Sequence, residues 1–115
     1  MALQTVVMEY SGVPVVQVGG ELDGAAVSEF RSTILAMRTA DCDRIAIDLS
    51  DVHDIESLAI GALIGAHAAV SARGGRLAVA CAPSDIARIL RLSGLGTVVP
   101  VFDTPDSAVV FLPAQ

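Results

Sequence analysis

Four carboxylates, Asp48, Asp51, Asp54 and Glu56, crowd one short stretch of the chain. Oxygen donors at that density could hold a hard divalent cation. A solvated acidic loop is the simpler account of the same residues, and no metal site is expected. His53 falls in the same stretch and His67 in the segment that follows. His67 has no Cys, Asp, Glu or His three or four positions away, so a helix there offers no local ligand pair. Neither imidazole is expected to serve as ligand or base. Cys42 and Cys81 form no C-x-x-C pair and stand near no His at ligand spacing. They read as two reduced thiols behaving as small hydrophobes, one at a helix–strand junction and one at a strand end.

Other catalytic constellations are missing. The chain has no phosphate-cradling P-loop and no G-x-G-x-x-G after a strand. It has no G-x-S-x-G elbow. All seven basic residues are Arg, so Schiff-base chemistry and lysine–phosphate contacts are excluded. No catalytic residue and no cofactor are expected. A small hydrolase or metal-dependent enzyme built on the Asp48–Glu56 acids is the remaining enzymatic reading.

The elements that would position these residues follow from composition and periodicity. A chain of 115 residues fits one domain, taken here as residues 1–115, large enough to bury a core unaided. Apolar residues make up 53% and charged ones 17%, which excludes a disordered tail. That richness also suits a sheet covered on both faces. With a net charge of −6 and scattered arginines there is no basic patch for phosphate contacts, so neither nucleic acid nor an anionic membrane is an expected partner. The first residues lack a basic segment followed by an apolar one, as a secretion signal requires. No charge-free apolar run reaches the ~18 residues of a membrane helix. A cytoplasmic location is expected.

Leu3 to Tyr10 and Val13 to Val18 read as a hairpin about Ser11-Gly12. Gly19-Gly20 breaks the pattern, and Asp23 is placed to cap a helix from Ala25 to Arg38. Val27, Phe30, Ile34 and Met37 make its apolar face. Thr39 to Asp43 is a polar connection. Arg44 to Leu49 is a short buried strand, and Ser50 to Ile55 an acidic loop. Glu56 or Ser57 opens a helix to about Arg73 whose many Ala and Gly would let it lie close to a sheet. Gly74-Gly75 stops it. Arg76 to Cys81 is a strand. A helix opens at Pro83 and runs to Leu92, with Ile86, Ile89 and Leu90 inward, and Ser93-Gly94 closes it. Val98 to Phe102 is a last strand. Thr104-Pro105-Asp106 then starts a helix to Leu112. Helical crossovers imply parallel pairing. The expected fold is α/β: a mixed, mostly parallel sheet with an N-terminal hairpin and four helices.

Four stretches, in order, resemble one family, the anti-sigma factor antagonists built on the STAS domain. Val18-Gly19-Gly20-Glu21-Leu22-Asp23 resembles its strand ending in G-E-L-D. Ile47-Asp48-Leu49-Ser50-Asp51-Val52 resembles its D-L-S-x-V strand. Ile55-Glu56-Ser57-Leu58-Ala59-Ile60-Gly61-Ala62-Leu63 falls where the family carries D-S-S-G-L-G-x-L. Leu92-Ser93-Gly94-Leu95 resembles its late S-G-L turn. The resemblance implies a non-enzymatic partner switch. Such a protein binds an anti-sigma factor that is also a serine kinase and so frees a sigma factor. Phosphorylation of a serine at the start of the second helix releases it. That serine falls on Ser57, with Asp23, Asp54 and Glu56 near the phosphosite and Asp54, Glu56, Ser57 and Leu58 as the partner-binding residues. A homodimer is left open.

The sequence departs from the motif at four places. Glu56 stands for its Asp, Leu58 for its second Ser and Ala59 for its Gly, and Asp54 stands before Ile55 where the family is often apolar. A helix N-terminus, with unpaired N–H groups and about half a positive charge, can accommodate a phosphate. Capping or simply beginning the helix is the alternative role for Ser57. Correspondingly, a STAS module that senses a ligand or acts as a scaffold without phosphorylation is the alternative function.

Overall fold

The computed structural model describes residues 3–39 and 43–112. Cys42, expected at a helix–strand junction, lies outside them. The elements run β1 (Gln4–Tyr10), β2 (Val13–Leu22), α1 (Gly24–Thr39), β3 (Arg44–Ile55), α2 (Ser57–Ala72), β4 (Arg76–Ala80), α3 (Asp85–Leu92), a 3-10 turn (Leu95–Thr97), β5 (Val101–Phe102) and α4 (Pro105–Phe111). One five-stranded sheet has the order β1-β2-β3-β4-β5. β1 pairs antiparallel with β2, and every other pair is parallel. The expected α/β class, mixed sheet and four helices are therefore all present.

The hairpin turns where expected because Ser11 and Gly12 both take positive φ, 52° and 81°. That is the backbone of the tight turn whose twist suits antiparallel strands. Alternation along the parallel strands then sends side chains to two cores. Val16, Val18, Ile45, Ile47, Leu49, Leu77 and Val79 pack with Phe30 and Ile34 of α1, Leu63 and Val70 of α2, and Ile86 and Leu90 of α3. On the other face Val13, Val15, Ala46, Ala78 and Ala80 meet Ala108 of α4 and Leu112 just beyond it. A sheet with helices on both faces buries its strands as near-continuous apolar runs, as the composition implied.

Several boundaries differ from the sequence reading. β2 does not stop at Val18 but runs through Gly19-Gly20 to Leu22, because β3 extends alongside it with register shifts at Gln17/Gly19 and Gly20/Glu21. Gly20, at φ 99°, absorbs the irregularity. For the same reason Ser50 to Ile55 is the end of β3 rather than an acidic loop, with Val52 and Ile55 buried and the acids Asp51 and Asp54 facing out. α3 begins at Asp85, capped by Ser84, whose hydroxyl accepts the Ala87 N–H at 3.2 Å; Pro83 stands outside it. Ile89 is 39% exposed rather than inward, since Ile86 and Leu90, one turn apart, already occupy the buried side of this short helix. β5 shrinks to two residues because Leu95–Thr97 is wound into a 3-10 turn, which leaves Val98 45% exposed. α2 approaches the sheet through Ala59, Ala62, Leu63 and Val70, while Gly61 and Gly65 face away from it.

The Gly74-Gly75 stop holds. The Gly74 and Gly75 N–H groups donate to Ser71 O and Val70 O, both at 2.9 Å, the pattern that closes helices on a left-handed glycine. Gly74 supplies that conformation at φ 81°. Gly75 is required by space: a Cβ there would meet the Asp43 carbonyl oxygen and, at 2.8 Å, Val70 Cγ1. Gly75→Ala is expected to destabilise the fold by about 1–3 kcal/mol, read as a lower denaturant midpoint.

Candidate functional site

β2 and β3 end side by side, Leu22 opposite Ile55. Each is followed at once by a helix, so the N-termini of α1 and α2 emerge together at one end of the sheet. The Glu56 N–H donates to Leu22 O at 3.0 Å and extends the strand contact by one residue.

Asp23 caps α1, as its place before the helix implied. Its Oδ1 accepts the Ala26 N–H at 3.0 Å, and its carbonyl accepts the Val27 N–H at 3.2 Å. Glu56 occupies the matching position before α2, in extended conformation, but its side chain does not cap that helix. It reaches across instead, and its Oε1 accepts the Gly24 N–H at 3.1 Å. A carboxylate on a helix N-terminal N–H is favourable both as a hydrogen bond and toward the helix dipole. Thus the first turn of α1 is held partly by a residue of the α2 entry, 32 positions away. Glu56→Ala is expected to cost about 0.5–1.5 kcal/mol and to speed hydrogen exchange at the Gly24 amide, with Glu56→Gln retaining most of the protection.

Ser57 is the first residue of α2 and is exposed. Its hydroxyl forms no hydrogen bond to another described residue. Glu56 and Leu58, on either side of it, both approach Gly24. Leu58 is 60% exposed, a large apolar side chain left in water beside the serine. Asp54 is exposed and pairs in register with Glu21, with Asp51 exposed further back on β3. The residues proposed from sequence, Asp23, Asp54, Glu56, Ser57 and Leu58, therefore gather at one end of the sheet. Glu21 and Gly24 were not singled out beforehand. Glu21 lies within the Glu21-Leu22-Asp23 motif and Gly24 follows it, but only the pairing of Glu21 with Asp54 and the bond from Gly24 to Glu56 bring them to this end of the sheet.

Asp48 does not belong to this group. It is buried at 7% exposure in β3, and its Oδ1 accepts the Ser50 N–H at 3.0 Å. Among the described residues no set of three or more His, Cys, Asp or Glu is arranged to hold a metal ion. Cys81 is buried too, and burial pushes its thiol pKa up. A hydrogen bond with Ser84 works the other way, and the Asp48 charge adds to the rise. A thiol in that setting is a poor nucleophile.

The exposed side of α2 continues the site. From Ser57 to Ala72 the helix has no Asp, Glu, Lys or Arg. Leu58, Gly61, Ile64, Gly65 and Ala68 face solvent. Surface helices ordinarily turn a charged side outward. Between α1 and α2 lies an apolar groove of about 270 Å³, bordered by Arg31, Ile34, Gly61, Ala62, Gly65 and Ala66. No helix among the described residues is long and apolar enough to cross a membrane.

A family profile described as the STAS domain matches residues 4–108. The anti-sigma F factor antagonist of Paenibacillus polymyxa is 27% identical over 113 residues, covering 97% of both chains. An anti-sigma factor antagonist from Mycobacterium paratuberculosis is 26% identical in a crystal structure that superposes with a TM-score of 0.87, covering 96% of this chain and 94% of the other. The Bacillus cell fate determinant SpoIIAA, solved in its phosphorylated form, shares the fold with a TM-score of 0.68 at 22% identity, covering 96% and 98% of the two chains.

Proposed function

The chain belongs to the STAS domain family, and from that premise we propose that it is an anti-sigma factor antagonist: a binding protein that docks on an anti-sigma factor with serine kinase activity, thereby freeing a sigma factor, and is released by phosphorylation at Ser57. The single observation that carries the mechanism is the exposed hydroxyl of Ser57, bonded to no described residue, at the mouth of an uncharged helix face. The relatives of similar length called anti-sigma factor antagonists support the partner class.

The physical basis is direct. Before modification, the docking face offers Leu58 and the neutral surface of α2 inside an acidic border of Asp51, Asp54 and Glu56. Apolar surface of this kind gains free energy on burial, about 25 cal/mol per Å². A phosphate on Ser57 brings roughly −1.5 to −2 charge to that face. The α2 N-terminus offsets part of that charge within this chain, so the fold tolerates it. A partner surface that fits Leu58 does not. The residues of the face bind and signal charge; no catalytic step is assigned to them.

The test is incubation with the cognate anti-sigma factor and ATP, followed by intact mass and peptide mapping. The expected result is one added phosphate on Ser57, with the kinase recovered on the immobilised chain only when ATP is omitted. Unmodified Ser57 together with ATP-independent binding would instead favour a STAS module not controlled by phosphorylation.

A further inference from the structure

The opposite end of α2 carries a second polar cluster. His67 and Ser71, one helical turn apart, border a cavity of about 240 Å³ together with Arg76, Leu77, Pro100 and Phe111. The cavity exists because β5 is short. Val79 and Cys81 donate their N–H groups to Pro100 O and Phe102 O, at 2.9 and 2.8 Å, whereas Arg76 donates the other way, to Asp43 O at 2.6 Å. Alternation along the strand puts the Leu77 N–H on the same edge as those of Val79 and Cys81. There β5 no longer runs alongside, its pairing with β4 covering only Val79 and Ala80, so among the described residues this N–H has no strand partner, although Leu77 is only 1% exposed.

Two side chains add to that donor. His67 Nδ1 is buried and has no hydrogen-bond partner among the described residues. Buried polar atoms left unpaired are uncommon in native proteins and cost free energy unless something meets them. The Arg76 guanidinium lies 5.6 Å from the centroid of the Phe111 ring and makes no ion pair with a described residue. The nearby acid, Asp43, is engaged by Arg44 at 3.9 Å. Among the described residues no carboxylate borders the cavity.

We propose that this cavity is a binding site for a small oxyanion, a phosphate or carboxylate group. Arg76 supplies the charge and a planar fork of N–H donors, the arrangement that suits such anions. The Leu77 N–H and the Ser71 hydroxyl donate from the strand edge and the helix. His67 donates from Nδ1 in the tautomer that carries its proton there. An apolar ligand would leave these donors unmet, and a cation would face Arg76. Ser57 stands ten residues earlier on the same helix, about 15 Å away at 1.5 Å per residue. The site is therefore separate from the docking face, and the proposal does not rest on phosphorylation there.

The test is a ¹H–¹⁵N NMR titration of the full chain with inorganic phosphate, and in a parallel arm with acetate. Saturable shifts centred on the Leu77, Ser71 and His67 amides are expected in at least one arm, and the arm that saturates at lower concentration identifies the anion. Arg76→Gln should weaken binding at least about tenfold while the rest of the spectrum stays dispersed. Should that variant lose its fold, His67→Gln and Ser71→Ala carry the same expectation, each with a smaller loss. Shifts that fail to saturate in both arms overturn the proposal. Shifts centred on Gly24 and Ser57, or an affinity unchanged in the folded variants, do so as well.

Discussion

Ser57→Asp is expected to weaken the complex with the anti-sigma factor roughly a hundredfold while leaving the fold intact. Ser57 is the first residue of α2, and its side chain is exposed and unbonded. Replacing it therefore removes no hydrogen bond to a described residue. A carboxylate there even gains from the helix N-terminus, by about 0.3–1 kcal/mol. The cost arises on docking. Beside the acids Asp54 and Glu56, a further negative charge at a ~4 Å separation costs about 1 kcal/mol while water surrounds it, and about 4 kcal/mol once a partner excludes that water. The difference, about 3 kcal/mol, falls on binding and corresponds to roughly two decades in Kd. Ser57→Ala should bind like the unmodified chain and resist release by ATP. Titration calorimetry of the two variants against the anti-sigma factor, with an unfolding curve for each, separates this from a structural effect. Equal affinity for both variants would remove Ser57 from the switch while leaving the family assignment in place.

Phe30→Ala is expected to destabilise the chain by about 3–5 kcal/mol, the largest stability effect of any single change considered. Phe30 is the bulkiest of the fully buried side chains, at 0% exposure, and it projects from the middle of α1 into the core shared with the sheet and α2. The chain has only three Phe, one Tyr and no Trp, so the other core residues are smaller and leave few ways to fill the void. Against a total of about 5–15 kcal/mol for a typical domain, that loss is a large fraction. It reaches function as well. Phe30 holds α1 against the sheet, and α1 begins at Gly24, whose N–H donates to Glu56 beside Ser57, with Asp23 capping the same turn. Urea unfolding should show the loss as a lower midpoint, with Phe30→Leu falling in between. A loss below about 1 kcal/mol would mean that the core repacks around the gap.

The amino-acid sequence by itself determined the elements whose signals are local. Asp23 was placed as a cap because an N-cap needs only a side-chain oxygen and the next turn's N–H groups. Ser57 was placed at a helix start, and Gly74-Gly75 at a helix stop, for equally short-range reasons. The helical spacing of Val27, Phe30 and Ile34 announced the buried side of α1, and all three are in the core. Alternating strands and helices announced a parallel sheet, because parallel neighbours need a crossover between them.

Tertiary structure alone decided the rest. Gly19-Gly20 and the acids after Leu49 carry strand-breaking and loop-like signals, yet both stretches are strand, since each supplies the other's hydrogen bonds across more than thirty residues of intervening chain. That pairing removed Asp48 from the acidic group, brought Glu21 beside Asp54, and let the Glu56 carboxylate cross to Gly24 rather than cap its own helix. The early end of β5 likewise left His67, Arg76 and the Leu77 N–H around one cavity. Contacts within about four residues follow from side-chain type and backbone preference, which the chain carries everywhere. Contacts across the sheet depend on which edge another segment happens to cover, and that is decided only when the whole chain packs.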